Sequence, residues 1–164
     1  MKALFMIFVM SACVYIGNDF AKKLKRKERL FEDLKIFCWR LKNSISFFNE
    51  KLLNVFEKSQ SECGSDFSDI CKNCVSSLNN TEDKLLKKEN FAKNFLTDEE
   101  KDAILGFFSC LGKSDSASQL KQIEGYEKIF EQKNEEYRKN ANEKGGLYKR
   151  LGIFAGLFLI VLCL

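Results

Sequence analysis

The sequence contains no proline and no histidine among its 164 residues. Proline is the strongest helix breaker, so its absence lets helices run long. The missing histidine removes the most frequent general base and the most frequent metal ligand. A dominant charge sign is also lacking. The 27 basic and 23 acidic residues leave a net charge of +4, too even to read nucleic-acid binding from charge. Internal repeats and low-complexity tracts are absent as well, which points to one domain of ordinary size plus anchors.

What is present is largely apolar. Hydrophobic residues make up 45% of the chain and 16 are Phe, enough for a packed core, although part of that total sits in the two ends. There are seven cysteines. Cys13 and Cys163 lie in the apolar ends. Cys38, Cys63, Cys71, Cys74 and Cys110 form an odd, irregularly spaced set. This argues against a secreted disulfide framework and for reduced thiols in a cytoplasmic domain.

Ala3 to Gly17 is an apolar run of 15 residues, followed by Asn18, Asp19, Phe20 and Ala21 and then the basic block Lys22–Arg29. A helix over 3–21 spans about 28 Å, close to a hydrocarbon core of about 30 Å. A secretory signal carries its positive charge before the apolar run, and here the charge follows it. Met10-Ser11-Ala12-Cys13 suggests a lipoprotein site, but the apolar region before that Cys is very short. An uncleaved membrane helix over 1–21 fits best. At the other end, 147–164 gives about 27 Å of helix if Lys149 and Arg150 snorkel to the interface. Its strictly apolar part, Leu151–Leu164, suits either a short span or an in-plane anchor. Positive charge on the inner flank of both ends predicts a cytoplasmic middle, residues 22–146.

The middle reads as helices throughout. Leu30, Leu34, Phe37, Leu41, Ile45 and Phe48 form one stripe at steps of three and four, with Phe31 and Trp39 off it. Asn49 is a plausible cap for a second helix from Glu50 to about Ser59. A third runs from Asp66 to about Leu78. Thr81 caps a fourth, to about Phe95, with Leu85, Leu86, Phe91 and Phe95 apolar. Thr97 to Glu100 has the form of a capping box opening a fifth, and Gly112 supplies a positive-φ stop after it. Lys113-Ser-Asp-Ser116 starts a sixth. From Glu131 to Gly146 its apolar face fades, which predicts an exposed stem of about 24 Å ending in a flexible Gly145-Gly146 joint. The fold class expected is all-α: a cytoplasmic six-helix bundle flanked by N- and C-terminal transmembrane helices.

No catalytic set is visible. Cys71-Lys-Asn-Cys74 is a CxxC, but no strand is predicted before it, and a metal site would need two further ligands, for which Cys63 and Cys110 are the only nearby cysteines. At i and i+3 on a helix, two Cys share a face and pack as small hydrophobes. A thiol-based redox or metal-binding protein using Cys71 and Cys74 remains the second reading. Asp98, Glu99 and Glu100 suit a helix first turn. Gly152 and Gly156 form a GxxxG that permits close helix approach in a membrane. No cofactor is expected. The exposed charges Lys87, Lys88, Glu99 and Glu100 are candidates for a partner-facing surface, although scattered charge is ordinarily solvated.

Leu111-Gly112 with Asp115 and Gln119, then Ile123, then Tyr148-Lys-Arg-Leu-Gly-Ile-Phe-Ala-Gly-Leu carry a resemblance to a known family. The apolar run ending in Gly17, Phe20 and Ala21 before basic residues adds to it. The chain resembles the stage III sporulation protein AB family of endospore-forming bacteria, departing from it at Glu50, where that family favours a Thr-Pro helix start. The resemblance implies a non-enzymatic platform subunit in the mother-cell outer forespore membrane, part of a mother cell–forespore channel. That platform is similar to those of type II secretion and type IV pilus machines. Its implied partners are a hexameric secretion-type ATPase, the other membrane subunits of that complex and the lipid bilayer.

Overall fold

Free of proline, the chain folds into long helices. The computed structural model describes residues 2–48, 51–80, 84–87, 91 and 93–163. Five α-helices occur among them, with no strand: α1 (Lys2–Asn43), α2 (Leu52–Glu62), α3 (Ser65–Asn79), α4 (Asp98–Cys110) and α5 (Ser116–Cys163). The chain divides into two units, Arg29–Asn134 and Met1–Glu28 with Glu135–Leu164. Both α1 and α5 contribute to each.

The Arg29–Asn134 unit is built around Phe37. The predicted stripe of α1 goes inward, with Leu30, Leu34, Phe37 and Leu41 all buried. The Phe37 ring meets Phe56 of α2 at 5.1 Å, Phe67 of α3 at 5.3 Å, and Phe107 and Phe108 of α4 at 6.2 and 6.1 Å. Phe107 then passes the contact on to Tyr126 and Phe130 of α5, at 5.4 and 5.3 Å. Phe31, off the stripe, is buried against Phe130, while Trp39 remains 58% exposed. Helices α1 and α5 run antiparallel here. Lys35 pairs with Glu131 and, further along α1, Lys42 pairs with the earlier Glu127. The stripe loses phase at its end because Ser44–Phe48 is a π-helical turn. The wider turn buries Ser44 and leaves Ile45 only half-buried.

A close approach fixes the α2–α3 connection. The Gly64 amide donates to Asp33 Oδ2 at 2.9 Å. A Cβ on Gly64 would lie 2.7 Å from Arg29 Nε and 2.9 Å from that same oxygen, so only glycine fits without displacement. Burial raises the Asp33 carboxyl above its ordinary pKa, opposed by the Gly64 amide and the Arg29 charge.

Two expectations for the bundle are corrected. The helix predicted from Thr81 to Phe95 does not form among the described residues, in which the α-helices number five and not six. The side chains that go inward are Leu86, Phe91 and Leu96. Five-residue steps cannot hold one face of a 3.6-residue helix, and the described residues 84–87, 91 and 93–96 form a non-helical strap that inserts them singly. Lys93 pins it to α3, with Nζ 3.1 Å from carboxylate oxygens of both Asp66 and Asp69. The second helix begins at Leu52, after Lys51, which makes no side-chain cap. The expected cap at Asn49, helix start at Glu50 and cap at Thr81 lie outside the described residues. The capping box is present as predicted: Thr97 N donates to Glu100 Oε2 at 2.7 Å, and Glu100 N donates to Thr97 Oγ1 at 3.3 Å.

In the second unit, α5 continues through Gly145-Gly146, so the expected joint is helical. The stem is not bare all round. Tyr137 is buried because α1 packs on it, with Lys27 Nζ donating to its hydroxyl at 3.2 Å and lying 4.8 Å from the ring centroid. Apolar side chains nevertheless face outward from both helices: Val14, Tyr15, Ile16 and Phe20 on α1, and Leu147, Leu151 and Phe154 on α5. The flanking transmembrane helices expected from sequence are not found. Among the described residues no helix is long and apolar enough to cross a membrane. The apolar runs Ala3–Gly17 and Leu151–Leu164 each fall short of the roughly 20 residues a span needs.

Phe37→Ala should destabilise the fold by about 3–5 kcal/mol, because four ring contacts vanish at once. Trp39→Ala on the outer face of α1 should change stability by no more than about 0.5 kcal/mol. Urea denaturation followed by circular dichroism reads both.

Candidate functional site

The four family-motif positions, Leu111, Gly112, Asp115 and Gln119, shape the turn between α4 and α5. Leu111 caps α4 and is buried. Gly112 follows with φ +75°, a left-handed conformation that side-chain-bearing residues rarely adopt. Asp115 then opens α5. Its Oδ2 accepts from the Ser118 amide at 3.1 Å, and its carbonyl accepts from the Gln119 amide at 2.9 Å. The Ser118 hydroxyl and nearby amides hold the exposed Asp115 carboxyl below its ordinary pKa. Gln119 is half-buried in the first turn. These are turn-forming roles: a stop, a reversal and a start. None presents a nucleophile or a paired acid and base.

Beside this turn lies a feature that the sequence reading missed. An open groove of about 240 Å³ is lined by Leu52, Leu78, Leu85, Phe108 and Leu111 together with Ser109, Gly112 and Lys113. Four separate stretches supply the lining. Helical periodicity assigned those residues inward one helix at a time and gave no sign that they leave a gap where they meet.

The CxxC is placed plainly. Cys71 and Cys74 are fully buried on α3, and both are free thiols. Burial pushes the Cys74 thiol up to about 12, and burial with neighbouring Cys74 raises Cys71 further. Cys38 is likewise buried and raised, and Cys63, half-buried, is pushed up to about 11. The thiolate is the form that attacks disulfides and binds metals, so this environment suppresses both chemistries. Among the described residues, no group of three or more His, Cys, Asp and Glu could hold a metal ion.

Of the charged positions considered for a partner surface, Glu99 is exposed and Lys87 half-buried. Glu100 is buried in the capping box and is withdrawn from that role. Lys88 lies outside the described residues. Gly152 and Gly156 fall about one turn apart on α5.

The family model described as stage III sporulation protein AB matches residues 2–164, nearly the whole chain. No curated protein and no solved structure matches. The chain belongs to the stage III sporulation protein AB family.

In the native protein, Cys38, Cys71 and Cys74 should resist an aqueous thiol reagent at pH 8, and Cys63 and Cys110 should react first. Denaturant should expose these five together with Cys13 and Cys163, seven thiols in all as counted by reagent absorbance. A thiol ionises near pH 9 when unfolded but only near 12 at Cys74 when folded. The folded state therefore keeps protons that the unfolded state releases, and stability should fall as pH rises from about 9 toward 12. Gly112→Ala should cost about 1–2 kcal/mol, since it forces a side chain into the left-handed region. Thermal melts test both effects.

Proposed function

We propose that this protein is a non-enzymatic platform subunit of the mother cell–forespore channel complex required for endospore formation. In this reading it docks a hexameric secretion-type ATPase on its helical bundle and contacts other membrane subunits of the same complex. The observation that carries the proposal is membership of the sporulation family over nearly the whole chain. The physical support is that Arg29–Asn134 spends its reactive groups on packing. Its CxxC thiols are buried, and Glu100 is consumed by a helix cap.

Membrane attachment is part of the proposal. Val14, Tyr15, Ile16 and Phe20, with Leu147, Leu151 and Phe154, offer outward apolar surface near both chain ends. Basic residues Lys22, Lys23, Lys25 and Arg26 follow the first set and suit anionic headgroups. The chain would be held in the mother-cell outer forespore membrane, with Arg29–Asn134 on the cytoplasmic side. The thiol-based alternative using Cys71 and Cys74 has no observation in its favour.

Two measurements test this. Full-length protein in membranes should retain the cognate ATPase through detergent extraction and affinity purification; absence of binding under conditions where the ATPase is hexameric would overturn the docking role. The protein should stay with membranes through a high-salt wash and leave them only in detergent. Release by salt alone would show that charge, and not apolar insertion, holds it.

A further inference from the structure

We propose that Asp33 is a proton-operated clasp that sets how firmly the α2–α3 hairpin is docked on α1. The device lies wholly within the Arg29–Asn134 unit and stands apart from the platform reading.

Beside its apolar stripe, α1 carries a polar one. Arg29, Asp33 and Arg40 fall at steps of four and seven and so share one helix face. All three meet the hairpin. Arg40 donates to Ser59 Oγ at 3.4 Å and pairs with Glu62, both in the last turn of α2. At the corner, Gly64 donates its N–H to Asp33 Oδ2 at 2.9 Å, with Arg29 Nε against the same glycine. The corner amides continue the contact: Cys63 N donates to Ser59 O and Ser68 N to Gly64 O.

This geometry leaves the carboxylate poorly solvated. Asp33 is only 8% exposed, and its Oδ2 is met by a neutral N–H. Arg40 is committed to Ser59 and Glu62, so its charge acts on Asp33 from a distance. A buried carboxyl in such a setting is costly when ionised and cheap when protonated. Burial accordingly raises the Asp33 carboxyl above its ordinary range, against the Gly64 amide and the Arg29 charge; Glu32 adds to the rise and Arg40 opposes it. On the hairpin side the titratable groups are Glu62, Cys63 and Cys71. Burial, and after it the Asp33 charge, keeps Cys63 protonated, and Cys71 feels that charge as well.

Undocking the hairpin returns Asp33 to water and to its ordinary pKa. The docked state therefore holds the proton more tightly. Docking should tighten as pH falls through the raised value and level off below the ordinary one. The protonated carboxyl still offers a carbonyl oxygen to the Gly64 N–H, so the clasp survives the loss of charge.

The test uses the full chain in detergent micelles, with the Asp33 carboxyl and the Gly64 amide followed by NMR from about pH 3 to about pH 8. Both resonances should titrate together, with a midpoint above the ordinary carboxylate value. Protection of the Gly64 and Ser68 amides from hydrogen exchange should rise on acidification. Asp33→Asn keeps an acceptor and removes the charge. At neutral pH it should protect those amides at least about twofold better than the unaltered chain, an advantage that fades as pH falls through the midpoint. Asp33→Ala strands the Gly64 N–H and should lose protection at every pH. Circular dichroism confirms that both variants fold. A midpoint at or below the ordinary value overturns the proposal. So does an Asp33→Asn variant no better protected than the unaltered chain at neutral pH, because the ionised carboxylate would then be the clasp. An Asp33→Asn advantage that ignores pH, or full protection in Asp33→Ala, overturns it as well.

Discussion

The Arg29–Asn134 unit depends on one ring. Phe37 lies on the inner face of α1 and touches aromatic side chains from α2, α3 and α4. Helices α2 and α3 have 11 and 15 residues, too short to be stable alone in water. Their stability comes from packing, and Phe37 is where the packing converges. Phe107 extends the cluster to α5, so α1 and α5 are tied to the shorter helices through the same group of rings. Polar contacts then fix details that nondirectional burial leaves open. Asp33 sets the α2–α3 corner, Lys93 ties down the strap, and Thr97 with Glu100 starts α4.

This economy bears on function. A redox or metal-binding CxxC needs exposed or electropositive surroundings that favour thiolate. Here the demands of the core place Cys71 and Cys74 where burial holds them protonated. Acids at the start of α4 have a structural use too, since Glu100 closes the capping box and Asp98 and Glu99 face the helix dipole. What the fold leaves open is surface: outward apolar residues near both chain ends and a largely apolar groove beside the α4–α5 turn. Those surfaces are what the proposed binding role rests on, and membership of the family ties the chain to sporulation.

Much of the fold was legible in the sequence because its signals are local. The α1 stripe as far as Leu41, the capping box and the Gly112 stop each depend on residues within a few positions of one another, and each is found. The strap was misread because Leu85, Leu86, Phe91 and Phe95 mimic an apolar face. The tertiary packing instead selects Leu86, Phe91 and Leu96 one at a time, and Lys93 reaches back more than 20 positions to α3. The π-helical turn after α1 left no mark in composition. Tyr137 looked isolated because its partner Lys27 is 110 positions away. Of the site, the turn could be read and the groove could not, since a gap between four stretches is a property of packing and not of any one of them.

The central claim is that this protein acts by holding partners and not by thiol chemistry. Its most direct measurement is the count of heat-resistant spores in an endospore-forming host whose sole copy of the gene carries Cys71→Ser and Cys74→Ser. Both serines leave the carbon skeleton in place and remove the thiols. The account predicts spore counts near those of the unaltered chain, provided the variant accumulates to the same level. Loss of sporulation with a folded, fully accumulated variant would contradict it and assign the CxxC a chemical role.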